Sequence, residues 1–331
     1  MSNERARMAL WGLAIGDALG MPTQSMARED INGRFGPIAG FLASPSDQPI
    51  APGRVAGSVT DDTEQAVLLG YSLIEGRGRI DQAAFASALI SWEQGMIARG
   101  SLDLLGPSTR RAIAELRAGT PAGEAGAAGT TNGAAMRITP VGLAASADDL
   151  KALVDVVVQT SELTHNTSPA LAAASAVAAA VSVGVAGGAV DEAIEVAIEA
   201  ADLGSRRGRW VAGGSVSERI LWAVSTCAGR GGDALDELYT MLGTGLAANE
   251  SVPAAFGILA MCPDDPWRAC RLAAGIGGDT DTIAAIVGAI GGACLGASAF
   301  PASARETVAA VNTLELDSLA DGLYALRLVI G

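Results

Sequence analysis

The chain has 331 residues, of which 50% are hydrophobic but only 4% aromatic, and its formal net charge of −14 goes with a pI of about 4.5. So acidic a chain argues against nucleic acid and anionic membrane as partners and makes a bound cation unsurprising. His165 is the only histidine and Lys151 the only lysine, which leaves little material for a His-rich zinc site, a catalytic triad with a histidine in reserve or a lysine-bearing phosphate loop.

In chain order, nearly every segment reads as helix, with Gly, Pro and polar clusters between. The first helix runs from about 3 to 15 and breaks in Gly16-Asp17-Ala18-Leu19-Gly20. Arg5 and Arg7 ahead of Met8–Ile15 imitate a signal peptide, but Asp17 interrupts the apolar run and no cleavage site follows. Residues 21–58 carry Pro22, Pro37, Pro45, Pro49 and Pro52 and read as one long irregular stretch, either a lid over a site or a surface excursion. Helices are then expected at about 62–76, 81–97, 107–118, 148–160, 168–187, 191–203, 215–229, 233–242, 252–261, 265–275, 282–297, 303–313 and 317–329, with start signals at Asp81, Asp148, Asn166 and Ser215 with Glu218. No linker or repeat divides the chain, so the expectation is one all-α domain over 1–331.

Two uncharged runs, 168–190 and 282–304, reach transmembrane length. Both are rich in Ala, Gly and Ser and lack basic flanks, so they read as buried helices and no membrane partner is expected. Gly288, Gly292 and Gly296 recur every four residues and offer a smooth face, for which the Ala-rich run 170–186 is the expected neighbour. Cys227, Cys262, Cys270 and Cys294 show no CxxC spacing and suit a reduced, cytoplasmic protein.

Two acidic stretches carry the chemistry. Thr60-Asp61-Asp62-Thr63-Glu64 and Gly277-Gly278-Asp279-Thr280-Asp281-Thr282 each place carboxylates and hydroxyls just before an apolar helix, with no basic residue inside. Together they supply an oxygen-only donor set suited to Mg²⁺, Mn²⁺ or Ca²⁺, and so many anionic oxygens favour two ions over one. Helix capping is the alternative reading, although a cap needs one acid and each stretch has two. Gly129–Arg137 reads as a flexible loop with backbone N–H groups open to phosphate or sugar oxygens, and Thr164-His165-Asn166-Thr167 puts the lone histidine at a helix start, as a cap, a core residue or a substrate contact.

Gly16–Gly20, Thr60–Thr63, Asn132–Arg137, His165-Asn166 and Gly277–Thr282, in this order, resemble the ADP-ribosylglycohydrolase family. The resemblance implies a compact all-α bundle and a site with two Mg²⁺ or Mn²⁺ ions held by Thr60, Asp61, Asp62, Asp279, Asp281 and Thr282. It also implies that Asn132 and Gly133 contact ADP-ribose, that His165 lines the same pocket, and that the reaction is hydrolysis at the anomeric carbon of a ribose. Many relatives carry a glutamate where this chain has Gln24, and some carry an acid just before the Asn-Gly loop, where 125–131 has none. The base is then a ligand carboxylate, Asp62 or Asp279, a metal-bound hydroxide, or an acid from elsewhere such as Glu29 or Glu64. Three readings follow: release of ADP-ribose from a modified, arginine-type side chain of a protein partner, hydrolysis of a small nucleoside-like N-ribosyl substrate, and a non-catalytic binding member.

Overall fold

A chain so poor in aromatic rings has little to hold its helices apart, and the computed structural model, which describes residues 3–103 and 105–330, is a bundle of closely spaced helices. They are α1 (Glu4–Gly20), α2 (Arg28–Phe35), α3 (Asp61–Glu75), α4 (Gln82–Ala98), α5 (Pro107–Arg117), α6 (Ala122–Ala125), α7 (Gly133–Met136), α8 (Thr139–Ala144) and α9 (Leu150–His165). There follow α10 (Ser168–Ala186), α11 (Val190–Ser205), α12 (Val216–Cys227), α13 (Asp233–Glu237), α14 (Ala248–Met261), α15 (Pro266–Ala274), α16 (Thr280–Leu295), α17 (Ala302–Val311) and α18 (Leu316–Ile330). Among the described residues there is no strand, only isolated bridges such as Met26 with Gly278 and Thr131 with Ala247. The all-α expectation holds.

At the centre α1 lies directly on α16. A methyl group on Gly12 would stand 2.0 Å from the carbonyl oxygen of Gly288, one on Gly16 1.9 Å from that of Ala284, and one on Gly292 2.1 Å from that of Met8. Backbone therefore touches backbone, which no residue larger than glycine permits. Two expectations are corrected here. Gly16 and Gly20 do not break the first helix, because they are contact points within it. The glycine face of α16 meets the Gly12-Gly16-Gly20 face of α1 rather than the Ala-rich α10, whose methyl groups would hold the backbones apart. α10 reaches α16 elsewhere, with Gly184 against Ala293. The two long apolar helical segments, Ser168–Ala186 and Thr280–Ser298, lie inside the bundle, with 89% of an 18-residue stretch of each buried. Arg5 ties their ends together, donating from Nη1 to the carbonyls of Gly184 (3.0 Å), Ala293 (3.2 Å) and Cys294.

Other boundaries moved for local reasons. The 21–58 stretch is not irregular throughout: it holds α2, whose first turn carries Glu29 and Asp30, whose last turn carries Arg34, and whose Ile31 is buried. Its remainder is fastened down, with Gln48 donating from Nε2 to the Gln24 carbonyl at 2.9 Å and Ser44 N–H to the Arg54 carbonyl at 2.8 Å. α9 runs on to His165, so the histidine closes a helix instead of opening one. Asp81 and Ser215 cap as expected, whereas α9 is capped by Asp149 rather than Asp148, and Thr167, not Asn166, stands at the start of α10.

Candidate active site

The end of α1 places the first acidic stretch. Asp17 is fully buried, and both its oxygens accept from the start of α3: Thr60 N–H at 3.0 and 2.9 Å, Thr63 N–H at 3.2 Å and the Thr63 hydroxyl at 2.5 Å. Burial pushes the Asp17 carboxyl up to about 6, against these hydrogen bonds, which hold it down. An acid of α1 thus reinforces the local cap of α3, in which Thr60 Oγ1 accepts from Asp62 N–H at 3.3 Å. Asp61 and Asp62 follow as the first two residues of α3.

The second stretch is set by its glycines. Gly277 and Gly278 have φ of +90° and +78°, and Gly278 is pressed so close to Thr244 that a methyl group would lie 2.3 Å from its carbonyl oxygen. The main chain is clasped on both sides: Ser25 N–H donates to the Gly278 carbonyl at 2.7 Å, Gly278 N–H to Met26 at 2.9 Å and Asp279 N–H to Thr244 at 2.8 Å. Asp279 then stands at the head of α16 without making a side-chain cap. Its carboxylate accepts instead from Asn132 Nδ2, which also donates to Ser251 Oγ at 2.8 Å.

The two stretches meet. Thr282 Oγ1 donates to Asp62 Oδ2 at 3.3 Å, and Thr60 Oγ1 reaches the same oxygen at 3.4 Å. Asp61, Asp62, Asp279, Asp281 and Thr282 line one cavity of about 190 Å³, together with Gln24, Asn132, Gly133, Thr131, Asp103 and Arg110. Thr60 is fully buried just behind this wall. His165 also lies one layer back from where it was expected. It is wholly buried beneath Gly133, where a methyl group would stand 2.9 Å from its ring, and both ring nitrogens face threonine hydroxyls, Thr164 at 2.8 Å and Thr131 at 3.0 Å. Burial, and then the Arg137 charge, hold its pKa well below 6.5, so it is neutral.

Burial first, and mutual repulsion second, push the carboxyl groups of Asp61, Asp62 and Asp281 well above the ordinary range, and burial raises Asp279 as well. Two of their oxygens, Asp62 Oδ1 and Asp281 Oδ1, are buried without any hydrogen-bond partner. Unpartnered carboxyl oxygens on residues that line one cavity are what a hard divalent cation would satisfy, so the donor set fits Mg²⁺ or Mn²⁺. Among the described residues no three acidic, imidazole or thiol groups already close on one point. A cation would have to draw the side chains together.

Three further residues complete the site. Asp103, in the loop before α5, lines the cavity with Arg54 3.2 Å away, and burial pushes it up to about 7. Gln65 donates from Nε2 to Asp61 Oδ2 at 2.8 Å, and the buried Arg137 donates to Gln65 Oε1 at 3.1 Å. Gln65 and Asp61 carry a readable signal, being one helical turn apart. Asp103 has none, since a lone aspartate in a Gly- and Leu-containing loop looks like any other. Glu64, by contrast, bonds Trp92 and lies 3.5 Å from Arg99, and like the exposed Glu29 it does not line the cavity.

Known proteins resemble the chain in sequence and in fold. The chain is similar to the Escherichia coli protein named "Uncharacterized protein YegU", 32% identical over 99% of this chain and 98% of that one. It is also similar to the ADP-ribosyl-[dinitrogen reductase] glycohydrolase of Rhodospirillum rubrum, 31% identical over 50% of this chain and 52% of that one. A further likeness is to the human ADP-ribosylhydrolase ARH3, 36% identical over 27% of each chain. A solved structure titled "ADP-ribosylglycohydrolase-related protein complex" superposes with a TM-score of 0.71 at 25% identity, covering 98% of both chains. Since the sequence model of the ADP-ribosylglycohydrolase family also matches residues 2–329, the chain belongs to that family.

Proposed function

We propose that the protein is a metal-dependent glycohydrolase that cleaves the bond at the anomeric carbon of a ribose, releasing ADP-ribose from an ADP-ribosylated, arginine-type side chain. The observation that carries this reading is the convergence of Asp61, Asp62, Asp279, Asp281 and Thr282 on one cavity that also presents Asn132 and Gly133. When bound, two divalent cations, Mg²⁺ or Mn²⁺, would neutralise the crowded carboxylates and supply Lewis acidity toward the ribose hydroxyls and a water. Asp61, Asp62, Asp279, Asp281, Thr282 and, from behind the wall, Thr60 are the residues to hold them.

The remaining work falls to the chain. Water attacks the anomeric carbon as the bond to the leaving nitrogen breaks, and the surrounding carboxylates stabilise the positive charge that develops on the ring. The water's proton passes to a carboxylate, Asp62 or Asp279 in the ligand set, or Asp103, the acid on the wall outside it. Gln24 lines the cavity but cannot take a proton; its amide serves as a hydrogen-bond partner for ribose or water. Asn132, held between Asp279 and Ser251, orients the loop that meets the sugar.

A second reading, hydrolysis of a small nucleoside-like N-ribosyl compound, is favoured by one feature of the wall. Among the described residues Arg110 is the only cationic side chain lining the cavity, a thin match for a diphosphate. The test is incubation with Mg²⁺ or Mn²⁺ and a panel of arginine-ADP-ribosylated protein, serine-ADP-ribosylated peptide and ribonucleosides, following released ADP-ribose or ribose. Turnover of the arginine-linked substrate is expected. Turnover of nucleosides alone would replace the first reading with the second, and metal binding without any turnover would make the protein a non-catalytic member.

A further inference from the structure

Behind the cavity wall, hydrogen bonds run out in two arms from one buried side chain, Arg137, which is 1% exposed and stacks on Phe85 at 5.7 Å. One arm passes from Nη1 to Gln65 Oε1 (3.1 Å) and from Gln65 Nε2 to Asp61 Oδ2 (2.8 Å). The other passes from Nη2 to Thr164 Oγ1 (2.5 Å), to His165 Nδ1 (2.8 Å), from Nε2 to Thr131 Oγ1 (3.0 Å), and on to Ser108 Oγ (2.8 Å).

A guanidinium can only donate. Gln65 must therefore turn its carbonyl to Arg137 and its N–H₂ to Asp61. Thr164 must accept from Arg137, so its own proton goes to His165 Nδ1, and the ring proton sits on Nε2. With the proton on Nδ1 instead, Thr164 Oγ1 would take two donors and its hydroxyl proton would have no partner in a fully buried position. The far end agrees: the Thr131 hydroxyl gives its proton to Ser108, so it receives from His165.

We propose that Arg137 is a positioning residue that sets the direction of this chain, fixing His165 as the Nε2–H tautomer and leaving Thr131, on the cavity wall, with a lone pair but no proton to offer. Thr131 then reads a hydrogen-bond donor, such as a sugar hydroxyl, and disfavours a phosphate oxygen. This last consequence rests on the ribose reading above; the tautomer does not.

The test uses the full-length, metal-free protein and a two-bond ¹H–¹⁵N correlation spectrum of the imidazole, free of overlap because the chain has one histidine. Near neutral pH, Nε2 is expected to show the shift of a proton-bearing nitrogen and Nδ1 that of an acceptor. The reverse pattern, an averaged one or an imidazolium overturns the proposal. Arg137→Gln, which presents an acceptor as well as a donor, is expected to move both shifts toward those of a tautomer mixture. Should that variant fail to fold, Thr164→Val deletes only the relaying hydroxyl and carries the same expectation; an unmoved spectrum in the folded variant removes Arg137 from the role. With Mg²⁺ and ADP-ribose as the probe, Thr131→Val is expected to lose about tenfold in affinity. Unchanged affinity refutes the acceptor assignment. A wild-type protein that shows the expected tautomer but binds no ADP-ribose counts against the ribose reading, not against the chain.

Discussion

Asp17 and Asp281 are both buried aspartates near the same cavity, yet they do different work. Asp17 accepts from three donors at the start of α3, Thr60 N–H, Thr63 N–H and the Thr63 hydroxyl, while Asp281 has an oxygen with no partner at all. Asp17→Asn puts an amide with two donors where only acceptors fit, and is expected to destabilise the fold by about 2–4 kcal/mol in urea titrations. Asp281→Asn removes a charge whose neighbours repel it, so the fold should hold while Mn²⁺ binding, followed by electron paramagnetic resonance, disappears. Retention of Mn²⁺ by Asp281→Asn would falsify the ligand assignment. Of this pair the sequence discloses one member. Asp281 announces itself through Asp279 and Thr282 beside it, whereas the partners of Asp17 are 43 and 46 residues away, beyond any local pattern. Asp103 stays hidden for the same reason, and Arg137, although it ends the Asn132–Arg137 motif, shows nothing in sequence of its partners 72 and 27 residues away.

At the scale of helices, the α1–α16 contact decides whether the two acidic stretches face each other, because α1 carries Asp17 and α16 carries Asp281. Gly16→Ala would drive a methyl group to 1.9 Å from the Ala284 carbonyl, and backbone cannot give way as a side chain can. A loss of about 1–3 kcal/mol or more is expected, with weakened Mn²⁺ binding as the helix ends part. Gly33→Ala in α2, where nothing lies within 4 Å, is the control and should raise stability by about 0.5–1 kcal/mol through helix propensity alone. If both variants melt alike, the close contact is not what holds the pair. The long helices are legible as sustained runs bounded by Gly, Pro and polar clusters, and in α10 and α16 nearly every residue of the run is small or apolar and buried. The four-residue α6 and α7 are not, since a single turn has no period to display, and α7 therefore reads as loop in the sequence. Spacing of four marked the glycine face of α16, but a smooth face does not name its partner.

Across the whole molecule, the buried acids make stability depend on pH in an unusual direction while metal is absent. A carboxyl raised in the folded state favours folding when protonated, so its contribution is present at low pH and lost as pH rises through about 6 for Asp17 and about 7 for Asp103, with Asp61, Asp62 and Asp281 acting in the same sense. His165 runs the other way, since its depressed pKa costs stability as pH falls through about 6.5, but it is one group against several. In chelator, the urea midpoint should therefore be higher at about pH 5 than at about pH 8. Saturating Mg²⁺ or Mn²⁺ should raise the midpoint at the higher pH far more than at the lower. A metal-free protein that is more stable at the higher pH would show that these carboxylates are not desolvated together.

The clasp that joins Ser25, Met26, Gly278 and Thr244 is made by main-chain atoms alone. Gln24, next to it, is likewise gripped by its carbonyl, through Gln48, and leaves its side chain in the cavity. The scaffold thus recognises that segment without consulting which side chain position 24 bears. A substitution at position 24 therefore changes what is presented to the cavity while leaving the main-chain clasp in register.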